Sequence, residues 1–347
     1  MIQRALKRLN REKINYLVKQ EGDLLRLAFI MVLCFGSMVA LSPGNFFTWS
    51  TFRAIGFQVP EFGILALGMM LAIISGGIDL SVIGVGNLAA ILSANIMVAL
   101  ITPQTSEPTE VLIMILAVLA AVATGAICGA INGLLISKVG IAPILTTLGT
   151  MQLFTGVSIA ITEGHTVVGL PQMFEMIGHA SIWVIPVPLL IFFACAIIVS
   201  ILLGKTSFGK KLYMMGSNPT ASMFAGLRND MIILKTYTLS GTLAAISCII
   251  ISSRTNSANP SYAVSYVLLA ILLCVLGGVR PTGGHGRVMG VVMAVFTLQF
   301  LSTGFNMMGF SSFLRQLIWG AVLVLVLLLN YYGNREKKAR SLGKSDE

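Results

Sequence analysis

Side chains able to do acid–base, nucleophilic or metal chemistry are few and scattered in this chain. The three histidines, His165, His179 and His285, lie far apart and do not form the His-Glu-x-x-His spacing of a helical zinc site. The five cysteines show no paired spacing, which indicates neither a disulfide framework nor a metal site. The sequence therefore predicts no catalytic residue and no bound metal.

A glycine-rich segment, Gly283-Gly284-His285-Gly286-Arg287, comes nearest to a phosphate-binding loop. Such a loop needs the spacing G-x-x-x-x-G-K-[ST], in which the lysine and the hydroxyl group contact the phosphates and Mg²⁺. This segment has neither residue at the required place. We therefore expect that the chain binds no cofactor and that, if ATP drives it, ATP and Mg²⁺ bind to a partner chain.

The remaining polar residues are embedded in long apolar runs. Hydrophobic residues make up 56% of the 347 residues and charged residues only 10%, which is not the composition of a soluble protein. In hydrocarbon each backbone amide must be satisfied within its own segment, and alternating strands are absent. The prediction is an all-α integral membrane protein with ten spans, at 25–41, 58–75, 80–100, 110–137, 140–162, 181–203, 232–252, 263–279, 287–304 and 313–332.

The basic residues predict how these spans are oriented. With both termini in the cytoplasm, 20 of the 23 Lys and Arg residues fall on the inner side, as the positive-inside rule requires. The net charge of +10 thus has an explanation that does not involve nucleic acid. No cleaved signal peptide is expected. The predicted parts are a cytoplasmic segment at 1–24, a transmembrane domain at 25–332 with a cytoplasmic loop at 204–231, and a cytoplasmic tail at 333–347.

Charged groups inside the spans are scarce. Ion-coupled carriers place such groups near the bilayer midplane, so their scarcity argues against a proton or sodium carrier. Glu61 lies at the outer mouth of a span, and Asp79 lies near the inner end of the second span. Four uncharged residues are candidates for a translocation path, although each could instead bond a neighbouring helix. They are Asn87, Asn132, Thr146 and Gln299.

Two glycine pairs end apolar spans and precede polar turns. Asp79 and Ser81 come directly before the third span, where either side chain could cap the helix. The alternative interpretation is a conformational joint, in which the glycines absorb backbone rotation. The residues of this predicted joint are Gly76, Gly77, Asp79, Ser81, Gly277 and Gly278. A third set, Gly125, Gly129 and Gly133, lies on one helix face and predicts close helix packing.

The longest polar interruption is the loop at 204–231. Asn218 with Pro219 can begin a short helix at 220–225, and Gly226 can end it in the left-handed conformation. A short helix that projects from a membrane domain is suited to mechanical coupling. The alternative is a solvated basic loop beside anionic lipid.

This loop resembles the permeases of ribose- and galactose-type ABC importers, where it reads roughly T-x-F-G-R…G-x-N-x-x-A-A-x-x-x-G-I. The matching residues are Thr206, Phe208, Gly209, Gly216, Asn218, Ala221 and Gly226. The segments at 76–82, 131–135, 144–151 and 277–290 are also similar to that family, so the resemblance covers nearly all of 25–332. The sequence departs from the family pattern at Ile83, Ala263, Val267 and Leu269.

The resemblance implies a permease in the bacterial inner membrane that takes up a monosaccharide by alternating access. Its implied partners are a cytoplasmic ABC ATPase, a second permease copy or paralogue, an extracytoplasmic substrate-binding protein and membrane lipid. A nucleoside or sugar-derived signal remains an alternative solute, and a single-chain secondary carrier and a membrane-embedded enzyme are alternative functions. In that family the loop docks on the ATPase, which assigns coupling to Phe208, Gly209, Gly216, Asn218, Ala221 and Gly226.

Overall fold

The computed structural model of the chain describes residues 24–25, 27–40, 46–102 and 104–342, and nearly all of its regular structure is helical. Most of the predicted segment at 1–24 and the end of the predicted tail at 333–347 lie outside these residues. The helices are α1 (Leu27–Ala40), α2 (Trp49–Ile74), α3 (Val82–Leu100), α4 (Glu107–Leu134, continued by a π-helical turn at Leu135–Val139), α5 (Pro143–Thr162), α6 (Gln172–His179), α7 (Val187–Lys205), α8 (Ser207–Ser217), α9 (Pro219–Phe224), α10 (Asn229–Thr255), α11 (Tyr266–Leu276), α12 (Val288–Met307) and α13 (Ser312–Leu342).

Ten of these helices correspond to the ten predicted spans, which confirms the predicted fold class. Seven of them, α2, α3, α4, α5, α7, α10 and α12, are long and apolar enough to cross a membrane. The apolar parts of α1, α11 and α13 are shorter. Within the described residues, strands occur only as two-residue pairs, β1 (Val167–Val168) with β4 (Ser257–Ala258) and β2 (Ser181–Ile182) with β3 (Ile185–Pro186).

Several predicted boundaries were wrong. The second span begins at Trp49 rather than at 58, because Thr48 caps the helix and Pro60 is accommodated within it. The eighth, predicted at 263–279, is the short α11, since Ala263 has a positive φ angle and Gly277 and Gly278 form the cap. The sixth begins at Val187, after the β2–β3 hairpin. Helices α6 and α8 lie in segments that the sequence predicts to be loops, because both helices are short and only partly apolar.

The helix α10 lies at the centre of the bundle, packed against α2, α3 and α4. Its contact with α4 is a seam of small residues, as the spacing of Gly125, Gly129 and Gly133 predicted. Gly125 faces the backbone of Gly241, and Gly129 faces the backbone of Tyr237. A Cβ on either glycine would overlap main-chain atoms of α10. The two helices therefore touch backbone to backbone.

The connections gather at two ends of the bundle. The end predicted to be outside holds the β1–β4 and β2–β3 pairs and α6, whose Gly178 packs on Arg254. The opposite end holds α8 and α9 together with an ion pair between Lys138 and Asp230 at 2.6 Å. The division of the connections between two ends agrees with the predicted topology. The basic residues indicate which of the two ends faces the cytoplasm.

Cysteine labelling checks this orientation. A membrane-impermeant thiol reagent applied to intact cells is expected to label Trp183→Cys, whose native side chain is 98% exposed, and not Lys211→Cys on α8. Permeabilised cells should label both. The native chain measures the background, because Cys128, Cys195, Cys248 and Cys274 are buried whereas Cys34 is partly exposed. Labelling of Lys211→Cys from outside would reverse the assignment.

Candidate functional site

The polar connection between α7 and α10 folds into two short helices. Thr206 caps α8, with its hydroxyl accepting the Gly209 amide at 3.4 Å, and Asn218 caps α9, with its side chain accepting the Ala221 amide at 2.9 Å. Gly226 has a φ angle of 80°, and its amide donates to Met223 O. This left-handed cap suits glycine. The predicted short helix with its two caps is therefore confirmed, within one residue of the predicted bounds.

The end of α9 presents apolar side chains to solvent. Phe224 is 84% exposed and Met223 is 59% exposed, and both precede the glycine cap. A solvated basic loop needs no such pair, whereas a surface that binds another protein commonly exposes one. We did not predict these two residues from the sequence. The sequence feature that could have indicated them is their position directly before a glycine that ends a helix.

The helix α8 is seated on the inner end of α2. Gly216 lies so close to Ile74 O and to the Gly284 amide that a Cβ could not fit. That amide donates to Ile74 O at 2.9 Å, and Tyr213 donates its hydroxyl to Gly286 O at 2.7 Å. Gly283 also lies against Gly76 and Gly216 O, so the predicted coupling segment and the predicted joint pack together. Two other predicted coupling residues are also packed. Gly209 lies against the backbone at the end of α7, and Phe208 packs on the hydrophobic core.

Both glycine pairs of the predicted joint end a helix in the same way. Gly76 and Gly278 have φ angles of 89° and 81°. In each case two consecutive amides turn back to the last helical turn, from Gly76 and Gly77 and from Gly278 and Val279. This cap stops each helix sharply at a position where only glycine adopts the backbone conformation without strain. Gly277 is additionally pressed against the backbone of Val291 at the start of α12.

Asp79 bonds the start of α3 and α10 through its carboxylate, and Ser81 extends this network to α4. The side chain is 1% exposed, and it accepts the Ser81 amide at 3.1 Å, the Ser81 hydroxyl at 2.6 Å and the Ser240 hydroxyl of α10 at 2.7 Å. Asn132 of α4 donates to the Ser81 hydroxyl at 2.7 Å. Of the two predicted capping residues, Asp79 accepts the amide and Ser81 does not. The buried network therefore does more than cap α3.

Unsatisfied groups border the same network. Among the residues that the structure describes, the Tyr237 hydroxyl and the Asn132 carbonyl oxygen are buried without a hydrogen-bond partner. The Tyr237 hydroxyl points at Gly77, where a Cβ would displace it. Buried polar groups normally have partners. Both unpaired groups adjoin residues of the predicted joint, Tyr237 beside Gly77 and Asn132 beside Ser81.

The four candidate path residues lie in different places. Asn87 holds the segment after α10 by donating to Pro260 O at 2.9 Å and to Tyr262 O at 3.0 Å. Asn132 belongs to the Asp79 network, and Thr146 is buried within α5. Gln299 borders a cavity between α2, α11, α12 and α13. Their assignment to a translocation path therefore stays a prediction.

Comparison with known proteins identifies the arrangement. The profile of a family described as "Branched-chain amino acid transport system / permease component" matches residues 51–327. The chain is 36% identical to the ribose import permease protein of Bacillus subtilis (strain 168), over 79% of this chain and 82% of that one. It is 31% identical to the L-arabinose transport system permease protein of Escherichia coli (strain K12), over 92% of each chain. The D-allose transport system permease protein of the same strain is 28% identical, over 87% of this chain and 88% of that one.

A solved structure shares the fold. A chain from an ABC transporter assigned to the metal-chelate type, in an inward-facing conformation, superposes with a TM-score of 0.52. The match covers 88% of this chain and 98% of that chain, at 15% sequence identity. At that identity the comparison concerns the helical architecture alone.

Proposed function

The chain belongs to the family of branched-chain amino acid transport system permease components, and on that premise we propose that it takes up a monosaccharide with energy from a separate ATPase. It is a permease subunit of the ABC importer family and a multi-pass protein of the bacterial inner membrane. ATP and Mg²⁺ bind to the partner ATPase in this proposal, and a binding protein delivers the solute from outside.

The observation that carries the proposal is the direct seating of the coupling segment on the ends of the spans. The exposed side chain of Phe224 on α9 is the proposed contact with the ATPase. A push on α9 passes to α8 and, through the Gly216 contact, to the end of α2 and to the Gly284 segment between α11 and α12. A solvated loop that did not pack on the spans could not transmit force to them. This arrangement favours an ATPase-driven permease over a single-chain carrier.

A monosaccharide is the favoured solute because the three relatives compared above are described as permeases for ribose, L-arabinose and D-allose. The family description itself names branched-chain amino acids, which makes leucine the second candidate. Uptake assays with the complete transporter in lipid vesicles separate the two, with radiolabelled D-ribose, L-arabinose and L-leucine as substrates. Uptake of leucine alone would contradict the proposed solute.

A second permease subunit is proposed to cover α5. Gln152 lies at the middle of this helix with its side chain exposed. An amide facing hydrocarbon at mid-bilayer is unfavourable, and polar groups within spans usually face another helix or a water-filled passage. The α5 face that carries Gln152 is therefore the proposed contact with a second copy or a paralogue.

The coupling role of α9 is tested by Gly226→Val. A β-branched residue is strongly disfavoured at a φ angle of 80°, so the substitution is expected to distort the end of α9 and the position of Phe224. We expect at least a tenfold loss of uptake with insertion nearly unchanged, measured beside ATP hydrolysis in reconstituted vesicles.

The matched control is Gly164→Val. Gly164 has a φ angle of 78° and the same open surroundings, but it lies at the opposite end of the bundle, after α5. The substitution Gly164→Val introduces similar backbone strain far from the proposed ATPase contact and should leave coupling intact. Wild-type uptake and wild-type stimulation of hydrolysis in Gly226→Val would reject α9 as the coupling element.

A further inference from the structure

A cavity of about 460 Å³ lies inside the subunit at the end of the bundle opposite to α8 and α9. It is enclosed by α2, α11, α12 and α13, with Arg254 at the end of α10 on its rim. Its size falls within the range of roughly 300–1,000 Å³ that is typical of small-molecule sites. The predicted topology places this end on the outer side, where the solute arrives.

The polar groups that line the cavity are held in fixed positions. Glu61 is nine-tenths buried, and its carboxylate accepts one hydrogen bond from Arg254 and another from the Tyr266 hydroxyl at 3.0 Å. Gln299, which is 2% exposed, donates to the side-chain oxygen of Gln58 at 2.8 Å. These bonds leave the Gln58 amino group and the Gln299 carbonyl oxygen available to a ligand.

The rest of the wall is mixed, with apolar and aromatic residues beside the polar side chains of Ser265, Ser302, Ser312 and Gln316. Leu269, Leu272 and Leu298 line one side, and Trp319 lines the cavity from α13. An indole ring presents a flat apolar face of the kind that packs on the C–H face of a sugar ring. A cavity that combines aromatic rings with several planar polar groups therefore has the parts needed to hold a polyhydroxylated ring.

The charges in the cavity disfavour a cationic ligand, because its lining holds one carboxylate, Glu61, and two guanidinium groups, Arg254 and Arg315. The Arg315 guanidinium donates to the side-chain oxygen of Asn306 at 3.2 Å. Glu61 is already paired with Arg254, so it does not offer an unopposed negative charge to a cation. Among the residues that the structure describes, no three His, Cys, Asp or Glu side chains are grouped to hold a metal ion. Amides and paired charges also fit a lipid tail poorly, because a tail gives them no hydrogen bonds.

We propose that this cavity binds a single monosaccharide within one permease subunit, through the Gln58–Gln299 amide pair and the indole ring of Trp319. The inference rests on the proposed function and adds to it a solute site on the outer side, away from the coupling surface. The site would hold the solute after its release from the binding protein and before the joint rearranges.

Tryptophan fluorescence tests the site directly. The chain has three tryptophans, so Trp49→Phe with Trp183→Phe leaves Trp319 as the reporter. The full chain in lipid nanodiscs is titrated with D-ribose, L-arabinose and L-leucine. We expect a saturable change with at least one of the two sugars and none with leucine. Gln299→Leu and Gln58→Leu should each raise the dissociation constant about three- to tenfold.

The control is Thr297→Val on the same helix. Thr297 bonds Met293 O within α12 and does not line the cavity, so its replacement should leave binding unchanged. A saturable change with leucine alone, or sugar binding that both glutamine variants leave unaltered, would overturn the site. Absence of any sugar response, together with sugar uptake by the complete wild-type transporter, would overturn the site and leave the proposed function standing. Failure of that transporter to take up any sugar would instead reject the proposed function.

Discussion

Gly216→Ala is expected to abolish solute uptake while the chain still inserts into the membrane. The added methyl group would overlap Ile74 O and the Gly284 amide, which are backbone atoms that cannot rotate aside. The helix α8 would therefore move away from the end of α2 and lose the packing contact through which α9 acts on the spans. Because overpacking costs about 1–3 kcal/mol and here also separates the coupling parts, we expect at least a hundredfold loss of uptake.

The measurement pairs uptake with ATP hydrolysis in the reconstituted transporter. Gly204→Ala is the matched control, since Gly204 lies twelve residues earlier, in the last turn of α7, with open space around it. An alanine there favours the helix by about 1 kcal/mol relative to glycine and should not impair uptake. If Gly216→Ala transported normally, force would not pass through the contact between α8 and α2.

Asp79→Ala is expected to reduce transport per assembled complex by at least tenfold. The loss of a single helix cap costs about 0.5–2 kcal/mol and would lower only the folded yield. Asp79 does more, because it accepts hydrogen bonds from Ser81 and from Ser240 of α10. Without it the two buried hydroxyls lose their acceptor, at about 1–3 kcal/mol for each unsatisfied group, and the joint loses its tie to α10.

Uptake is normalised to assembled transporter, so that reduced folding and reduced function are measured separately. Ser240→Ala removes one of the bonds and should show a smaller defect of the same kind. Ser158→Ala, which removes a buried hydroxyl bonded within its own helix α5, should show none. Full activity per complex in Asp79→Ala would reduce the network to a structural role.

The spans and the caps of α9 could be predicted because their signals are local. An apolar run of sufficient length specifies a membrane helix, and Asn218 and Gly226 mark the ends of α9 by their own conformational preferences. Glycines at 125, 129 and 133 likewise predicted a close contact, since four-residue spacing places them on one face. The partner of that face was not predictable from the same spacing.

The site depended on contacts between distant parts of the chain, which the sequence does not display. Ser240 lies 161 residues from Asp79, and nothing in either segment indicates that they meet. The contact of Gly216 with Gly284 is similar, because each glycine alone also suits an ordinary turn. Helix α8 was missed for another reason. It is short and amphipathic, and its stability comes from packing on α2 and α7 rather than from its own composition.

The glycine seam between α4 and α10 also bears on how the protein is made. The face of α4 that carries Gly125 and Gly129 cannot be covered until Gly241 and Tyr237 of α10 leave the ribosome, about 110 residues later. At roughly 5–20 residues per second this wait is on the order of 5–20 s. The helix α4 is by far the more apolar of the two and can stay in lipid alone, whereas α10 carries Arg254 and several hydroxyl groups. We therefore expect α4 to insert first and α10 to pack on it once both helices are in the membrane.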